Sequence, residues 1–366
     1  MPKRGRGNAK ELAEHLWVAF TGSEQPLLTL FMDVFAPAHG GPWPPLLLFH
    51  GWHEDLTAQR ERGRALARRG FCVLNLNLRG RAATVGHPDV NGWEVRDAAD
   101  AVQVARRDFP QLCAEHLSPR AFGASGGGGN VYALVGKCPD LLSAAVVWCG
   151  ISDYARWFEW NEAGQFRDEM QRWIAGSPRD FPEAYMARAG IAVASNRLCP
   201  LLVVHGRDDD SIPVDQAKAY VAAQKSRKVP PLFQYVELPS VGHQIPDDPH
   251  LGKSADFLLR HDRPVYVEPR GRYVVAGFLK THYFEVRWDH VGLMGHVDLD
   301  LRRRRLFLHC PSGSAAQVRL AGQIKSPALV EPAPKECKLL SVRQEAGWTV
   351  LDVQTHGQAC RLQWKA

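Results

Sequence analysis

No Cys-x-x-Cys pair occurs in the 366 residues, and that absence removes zinc ribbons and related sites from consideration. The eight cysteines, Cys72, Cys113, Cys138, Cys149, Cys199, Cys310, Cys337 and Cys360, are scattered, which also argues against a dense disulfide framework. They read as buried small hydrophobes. No stretch is apolar over the roughly 20 residues that a bilayer demands, so no membrane-spanning helix is expected. A secretory signal pattern is missing too: Met1 to Lys10 is basic, but Glu11, Glu14 and His15 interrupt the stretch after it. The expectation is a soluble chain, cytoplasmic unless a native leader precedes Met1. The formal net charge of +6 sits largely in short clusters such as Lys3 to Arg6 and Arg302 to Arg305, with no nucleic-acid recognition motif beside them. Neither nucleic acid nor membrane is expected as a partner.

What is present is an ordinary globular composition, 45% hydrophobic and 23% charged, in a chain longer than one typical domain. From Leu27 to Asp262, apolar runs alternate with amphipathic stretches, the pattern of a doubly wound, mostly parallel α/β sheet. Strands are expected at Leu27 to Phe35, Pro45 to Phe49, Phe71 to Leu76, Arg120 to Phe122, Ala144 to Trp148, Leu201 to Val204 and Phe233 to Leu238. Helices are expected at Leu56 to Arg69, Glu94 to Asp108, Gly127 to Lys137, Val214 to Ser226 and Leu251 to Arg260, with Gly70 as a left-handed cap. The rhythm breaks over about 151–197, an aromatic-rich insertion. It reads either as a lid, with Tyr154, Trp157 and Phe158 lining a pocket, or as a helical subdomain packed on the sheet. Beyond Arg263 the apolar periodicity becomes strand-like, which predicts a catalytic domain over 1–263 and a small β-rich domain, sandwich or barrel-like, over 264–366.

The chemistry is concentrated in three loops. Gly123-Ala124-Ser125-Gly126-Gly127 fits the nucleophile-elbow pattern Gly-x-Ser-x-Gly at a strand-to-helix junction. There a strained turn lifts Ser125 Oγ above the sheet, and the Gly126 N–H can serve an oxyanion. A serine hydroxyl needs a base, and this motif's partners come in the order acid, then histidine. After the strand at Leu201 to Val204 comes a loop with Asp208, Asp209 and Asp210, any of which could hold an imidazole. After the next strand, Gly242-His243 places a histidine at a strand end, better placed than His250 or His261 beside the last helix. The second oxyanion donor is expected from the His50-Gly51-Trp52 loop as the Trp52 N–H, with His50 in a structural role. These features together predict an α/β-hydrolase fold.

The same residues resemble the catalytic domain of the prolyl oligopeptidase family of serine hydrolases. The resemblance runs from about Leu27 to Arg260. It rests on His50-Gly51, Leu78-Arg79-Gly80 followed by Gly86 and Trp93, Gly123 to Asn130, Gly150-Ile151-Ser152-Asp153, and His205-Gly206-Arg207-Asp208-Asp209. The family's His-Gly-x-x-Asp motif carries the catalytic aspartate at its end, which implies Asp209, and its Gly-His motif implies His243. Family peptidases carry a β-propeller ahead of this domain, whereas only a short segment precedes Leu27 here, so exopeptidase specificity is not implied. The resemblance implies hydrolysis of a small-molecule ester or a short peptide through an acyl-enzyme, with no metal or organic cofactor. A non-catalytic binding or assembly role on the same scaffold is the alternative, and the β-rich tail is a candidate homo-oligomer contact.

Overall fold

The structure is a computed structural model that describes residues 11–13, 15–23, 27–82, 84–227, 231–329 and 337–365; the Lys3 to Arg6 cluster and Met1 lie outside them. Eight strands form the first sheet: β1 (Leu16–Thr21), β2 (Thr29–Phe35), β3 (Pro45–Phe49), β4 (Cys72–Asn77), β5 (Arg120–Ala124), β6 (Ala144–Trp148), β7 (Leu201–Gly206) and β8 (Phe233–Leu238). They run in the order β1-β2-β4-β3-β5-β6-β7-β8. β1, β2 and β4 pair antiparallel, and every pair from β4 through β3 to β8 is parallel. Every residue of β3, β4, β6 and β7 is buried, as continuous apolar runs require when helices cover both faces. The helices Trp93–Asp108, Gly126–Lys137 and Asp215–Lys225 pack on one face, through Val95, Val131 and Ala217, and Arg60–Ala67 and Asp247–Arg260 on the other, through Leu66 and Leu258.

Local chemistry explains where elements begin and end. The single helix expected over Leu56 to Arg69 is a 3-10 turn, Leu56–Gln59, followed by Arg60–Ala67. Asp55 accepts the Thr57 N–H at 2.7 Å while the Leu56 N–H turns aside to Asn77 Oδ1 at 3.2 Å, so the first turn is tightened before the α-helix starts. Gly70 comes next with φ +102°, in the left-handed region that a terminating glycine supplies. β1 escapes the sequence pattern because it is an edge strand with an exposed Trp17 and only one fully buried position, Phe20.

The tail forms a separate sheet of ten antiparallel strands. They are β9 (Arg270–Ala276), β10 (Phe278–Lys280), β11 (Phe284–Trp288), β12 (Met294–Asp300), β13 (Arg305–His309), β14 (Ala315–Ala321), β15 (Lys325–Leu329), β16 (Lys338–Glu345), β17 (Trp348–Gln354) and β18 (Cys360–Lys365). Their order is β15-β18-β13-β12-β9-β10-β11-β14-β17-β16. The module is therefore one sheet that wraps its own core, including Val275, Val286, Trp288, Val297, Leu308, Val318 and Leu351, rather than two stacked sheets. Its edge strands β15 and β16 lie close to each other. Cys337 and Cys360 form a disulfide, which corrects the expectation that all cysteines are simple buried hydrophobes; the other six are free and buried. The pairing joins positions 23 residues apart that only the sheet brings together, so no local motif announces it.

The second sheet is anchored to the first unit by Phe278, which is fully buried in the α/β core and stacks on Trp93 at 5.8 Å. A buried Arg96–Glu285 ion pair and Asn196, bonded to both backbone groups of Val274 at 2.7 and 2.9 Å, complete the junction. Phe278→Ala is expected to cost about 3–5 kcal/mol, read as a drop in Tm by calorimetry. No helix among the described residues is long and apolar enough to cross a membrane.

Candidate active site

β5 ends at Ala124, and Ser125 opens the helix Gly126–Lys137 with φ +56° and ψ −125°. This is a conformation that L-residues adopt only under constraint. The constraint is visible. The Ser125 N–H donates to the Trp148 carbonyl of β6 at 3.0 Å, and a Cβ at Gly123 would lie 2.1 Å from the Gly127 carbonyl oxygen, where the chain folds back on itself. Glycine is the only residue that fits there.

Ser125 Oγ lies 3.0 Å from His243 Nε2. On the far side of the ring, His243 Nδ1 lies 3.0 and 3.1 Å from the two oxygens of Asp209. The three neighbouring aspartates are separated by burial: the Asp209 side chain is fully buried, whereas Asp208 and Asp210 are exposed. Asp209 Oδ1 also accepts the backbone N–H groups of Ser211 and Ile212 at 3.0 and 2.8 Å, and its Oδ2 lies 3.3 Å from His205 Nε2. Burial favours the neutral acid, but the hydrogen bonds from His205, His243 and Ile212 outweigh it and hold this carboxyl well below the usual carboxylate range. His250 and His261 stand outside this cluster, the latter bonded to the Phe257 carbonyl at 2.8 Å. Cys149 Sγ comes within 4.8 Å of the Asp209 and His243 ligand atoms, but burial pushes its thiol up to about 12, and both His243 nitrogens are already engaged.

The backbone of Gly126 packs directly against that of Trp52: a Cβ at Gly126 would sit 2.7 Å from Trp52 N. The loop that carries Trp52 is tied at successive residues. His50 is fully buried, and burial lowers its pKa to about 4, so it is neutral at physiological pH. Its Nε2 accepts the Leu78 N–H at 3.2 Å, which leaves the proton on Nδ1 to be donated to the Gly51 carbonyl at 2.9 Å. The Gly51 N–H donates to Glu54 Oε2 at 2.7 Å.

Ser125 and His243 open into a cleft of about 660 Å³. Its apolar wall includes Trp52, Trp148, Trp157, Phe166 and Ile245, and Arg62, Glu54 and Asp247 also line it. Of the aromatics expected at the pocket, Trp157 lies in the cleft, with its indole N–H donated to the Ser211 carbonyl at 2.9 Å. Tyr154 and Phe158 require correction. Tyr154 is 1% exposed and sits behind the Trp52 loop, beside a void of about 20 Å³. Phe158, also 1% exposed, packs edge-on to Tyr185 with the Arg167 guanidinium 4.2 Å from its ring centroid. Tyr154, Trp157 and Phe158 stand at i, i+3 and i+4 of the helix Tyr154–Trp160 and share the face it turns to the core of the insertion, from which only Trp157 reaches the cleft. Trp148, Phe166 and Ile245 line the cleft although nothing in their spacing marks them, save that Phe166 falls in the aromatic-rich stretch.

A mixed α/β sheet with a serine on a strand-to-helix elbow, facing a histidine and a carboxylate from the ends of later strands, defines a serine hydrolase. The chain belongs to the prolyl oligopeptidase family, whose sequence model matches residues 58–260. The β-rich tail lies outside that match. Among curated relatives, the chain is 26% identical over 197 residues to the uncharacterized peptidase YtmA of Bacillus subtilis (strain 168), covering 53% of this chain and 73% of that one. It is 25% identical over 216 residues to the uncharacterized peptidase YuxL of the same strain, covering 57% of this chain and 30% of that one. A crystal structure of puromycin hydrolase superimposes with a TM-score of 0.53 at 18% identity, over 68% of this chain and 37% of that chain. That likeness is one of fold, of the α/β-hydrolase type, and this chain spans only about a third of the length of YuxL and of the puromycin hydrolase.

Proposed function

We propose that the chain hydrolyses esters or amides that carry an aromatic or bulky apolar group next to the scissile carbonyl. The observation that carries this reading is the 3.0 Å approach of Ser125 Oγ to His243 Nε2 at the floor of an aromatic-walled cleft. His243 Nε2 removes the Oγ proton as Oγ bonds to the carbonyl carbon, and the Trp52 and Gly126 N–H groups receive the oxyanion. Collapse of the tetrahedral intermediate breaks the bond to the leaving group, which takes the proton from His243. Water, deprotonated by the same nitrogen, then cleaves the acyl-Ser125 ester. Asp209 holds the proton on His243 Nδ1, the tautomer this sequence of steps needs. The 151–197 segment supplies Trp157 and Phe166 to one wall, which supports its reading as a lid over the cleft.

The test compares 4-nitrophenyl esters and 4-nitroanilides of acetate and of phenylacetate. Phenylacetyl substrates are expected to exceed acetyl ones at least about tenfold in kcat/KM, the lower end of what filling an apolar pocket provides. Equal values would remove the aromatic assignment. Anilide turnover marks amide hydrolysis, and turnover of esters alone marks an esterase.

A further inference from the structure

One carboxylate in the 151–197 segment touches the oxyanion loop and has no part in the chemistry above. Glu169 is 6% exposed and belongs to the helix Gln165–Met170. Its Oε2 lies 2.6 Å from the Trp52 indole nitrogen and 2.6 Å from His53 Nε2, while Oε1 accepts from Gln165 Nε2 at 2.9 Å. Burial works to raise its pKa, but the hydrogen bonds from Trp52, Gln165 and His53 prevail and hold it below the usual range. It is therefore ionised and can only accept, so both Trp52 and His53 donate to a single oxygen.

The remaining contacts of Trp52 point the same way. Its ring meets Trp157 edge-on at 5.1 Å and Trp173 at 5.0 Å, and Tyr154 lies 5.9 Å away. All three come from the 151–197 segment. His53 stacks on Phe166 of the same segment at 4.8 Å. The side chain of Trp52 is thus held by the insertion, while its backbone nitrogen lies against Gly126. A short, charge-assisted bond fixes the indole in that socket, and a missing acceptor would leave a buried N–H without a partner.

We propose that Glu169 is a positioning residue that couples the 151–197 segment to the oxyanion site by holding the Trp52 indole, and with it the Trp52 N–H beside that of Gly126. The inference rests on the assignment of Trp52 as oxyanion donor. An oxyanion site assembled in this way is complete only while the insertion is docked, so the wall of the cleft and the stabilisation of the transition state form together. The effect belongs to the transition state, because a ground-state carbonyl gains less from these donors than the oxyanion does.

The experiment measures kcat and KM for 4-nitrophenyl phenylacetate, and Ki for a benzyl trifluoromethyl ketone whose hemiketal oxyanion occupies the same site. Glu169→Ala is expected to lower kcat about tenfold to hundredfold with KM nearly unchanged, and to raise Ki by the factor lost in kcat/KM. Glu169→Gln, whose amide oxygen can accept the same indole N–H, restores most of that loss. Trp52→Phe, which keeps an aromatic ring and deletes the indole donor, reproduces the effect where Glu169→Ala does not fold. The double variant loses little beyond either single one, because both remove one interaction. Unchanged kcat and Ki in the folded Glu169→Ala variant, a rise in KM alone, or a fall in Tm without a kinetic change would each overturn the proposal. Ser125→Ala, run in parallel, separates the two claims. Activity surviving in Ser125→Ala refutes the nucleophile, whereas an inactive Ser125→Ala beside a fully active Glu169→Ala refutes only the role of Glu169.

Discussion

Ser125→Ala is expected to lower kcat about 10⁶-fold toward the matched esters, with the far-ultraviolet spectrum and Tm close to those of the parent chain. The size of the loss reflects how the site is built. His243 without Oγ has no nucleophile to activate, and the residual rate reports only what binding and the oxyanion donors do for attack by water. The fold should tolerate the change because the elbow is set by the backbone: the Ser125 N–H remains bonded to the Trp148 carbonyl, and Gly123 still gives Gly127 its room. Alanine occupies the same φ of +56° with no larger side chain to place. A variant that retains more than about a thousandth of the activity would require another nucleophile.

Asp209→Asn is the second large effect, a loss of about 10⁴-fold in kcat with the geometry nearly intact. The carboxylate accepts from His243 Nδ1 and from two backbone N–H groups at once, with His205 Nε2 3.3 Å away. An amide of the same shape presents an N–H₂ group to one side of that cluster. If it faces His243, it selects the tautomer with the proton on Nε2, which cannot take a proton from Ser125. Stability carries a second signature. The folded pKa of Asp209 is depressed by its hydrogen bonds, so the carboxylate stabilises the fold above the unfolded carboxyl pKa of about 4. That contribution is lost as the pH falls below about 4 and through the still lower folded value. Asp209→Asn should therefore lower Tm most at neutral pH, with the gap to the parent chain narrowing in acid. A gap constant with pH would contradict the ionised state assigned to Asp209.

How much of the fold and site is legible in the sequence depends on the range of the interactions involved. Strands covered on both faces announce themselves by composition, and β3 and β6 run over the residues that their apolar runs mark, while the edge strand β8 shows through its alternation. Strands with several charged positions or an internal proline do not. β9 begins Arg-Gly-Arg and β15 contains a proline, so neither resembles a strand until its neighbours are in place. In the site, Ser125 stands out because local chain geometry requires glycines around it, and His243 because it lies in the loop that directly follows a strand end. The choice among Asp208, Asp209 and Asp210 depends on which side chain turns inward, a property of the loop's three-dimensional path that spacing leaves open. Tyr154 and Phe158 resemble Trp157 in composition and proximity, and only packing sends them to the core. Glu169 is the least legible: its partners Trp52 and His53 lie 117 and 116 residues away, and nothing in a short acidic helix points to them.

The measurement that tests the central claim most directly is covalent labelling by a fluorophosphonate, followed by intact mass and peptide mapping. One phosphonyl group per chain, located on Ser125 and absent from Ser125→Ala, is the result this account predicts. Labelling of another residue, or a folded chain that catalyses ester hydrolysis yet leaves Ser125 unmodified, would contradict it.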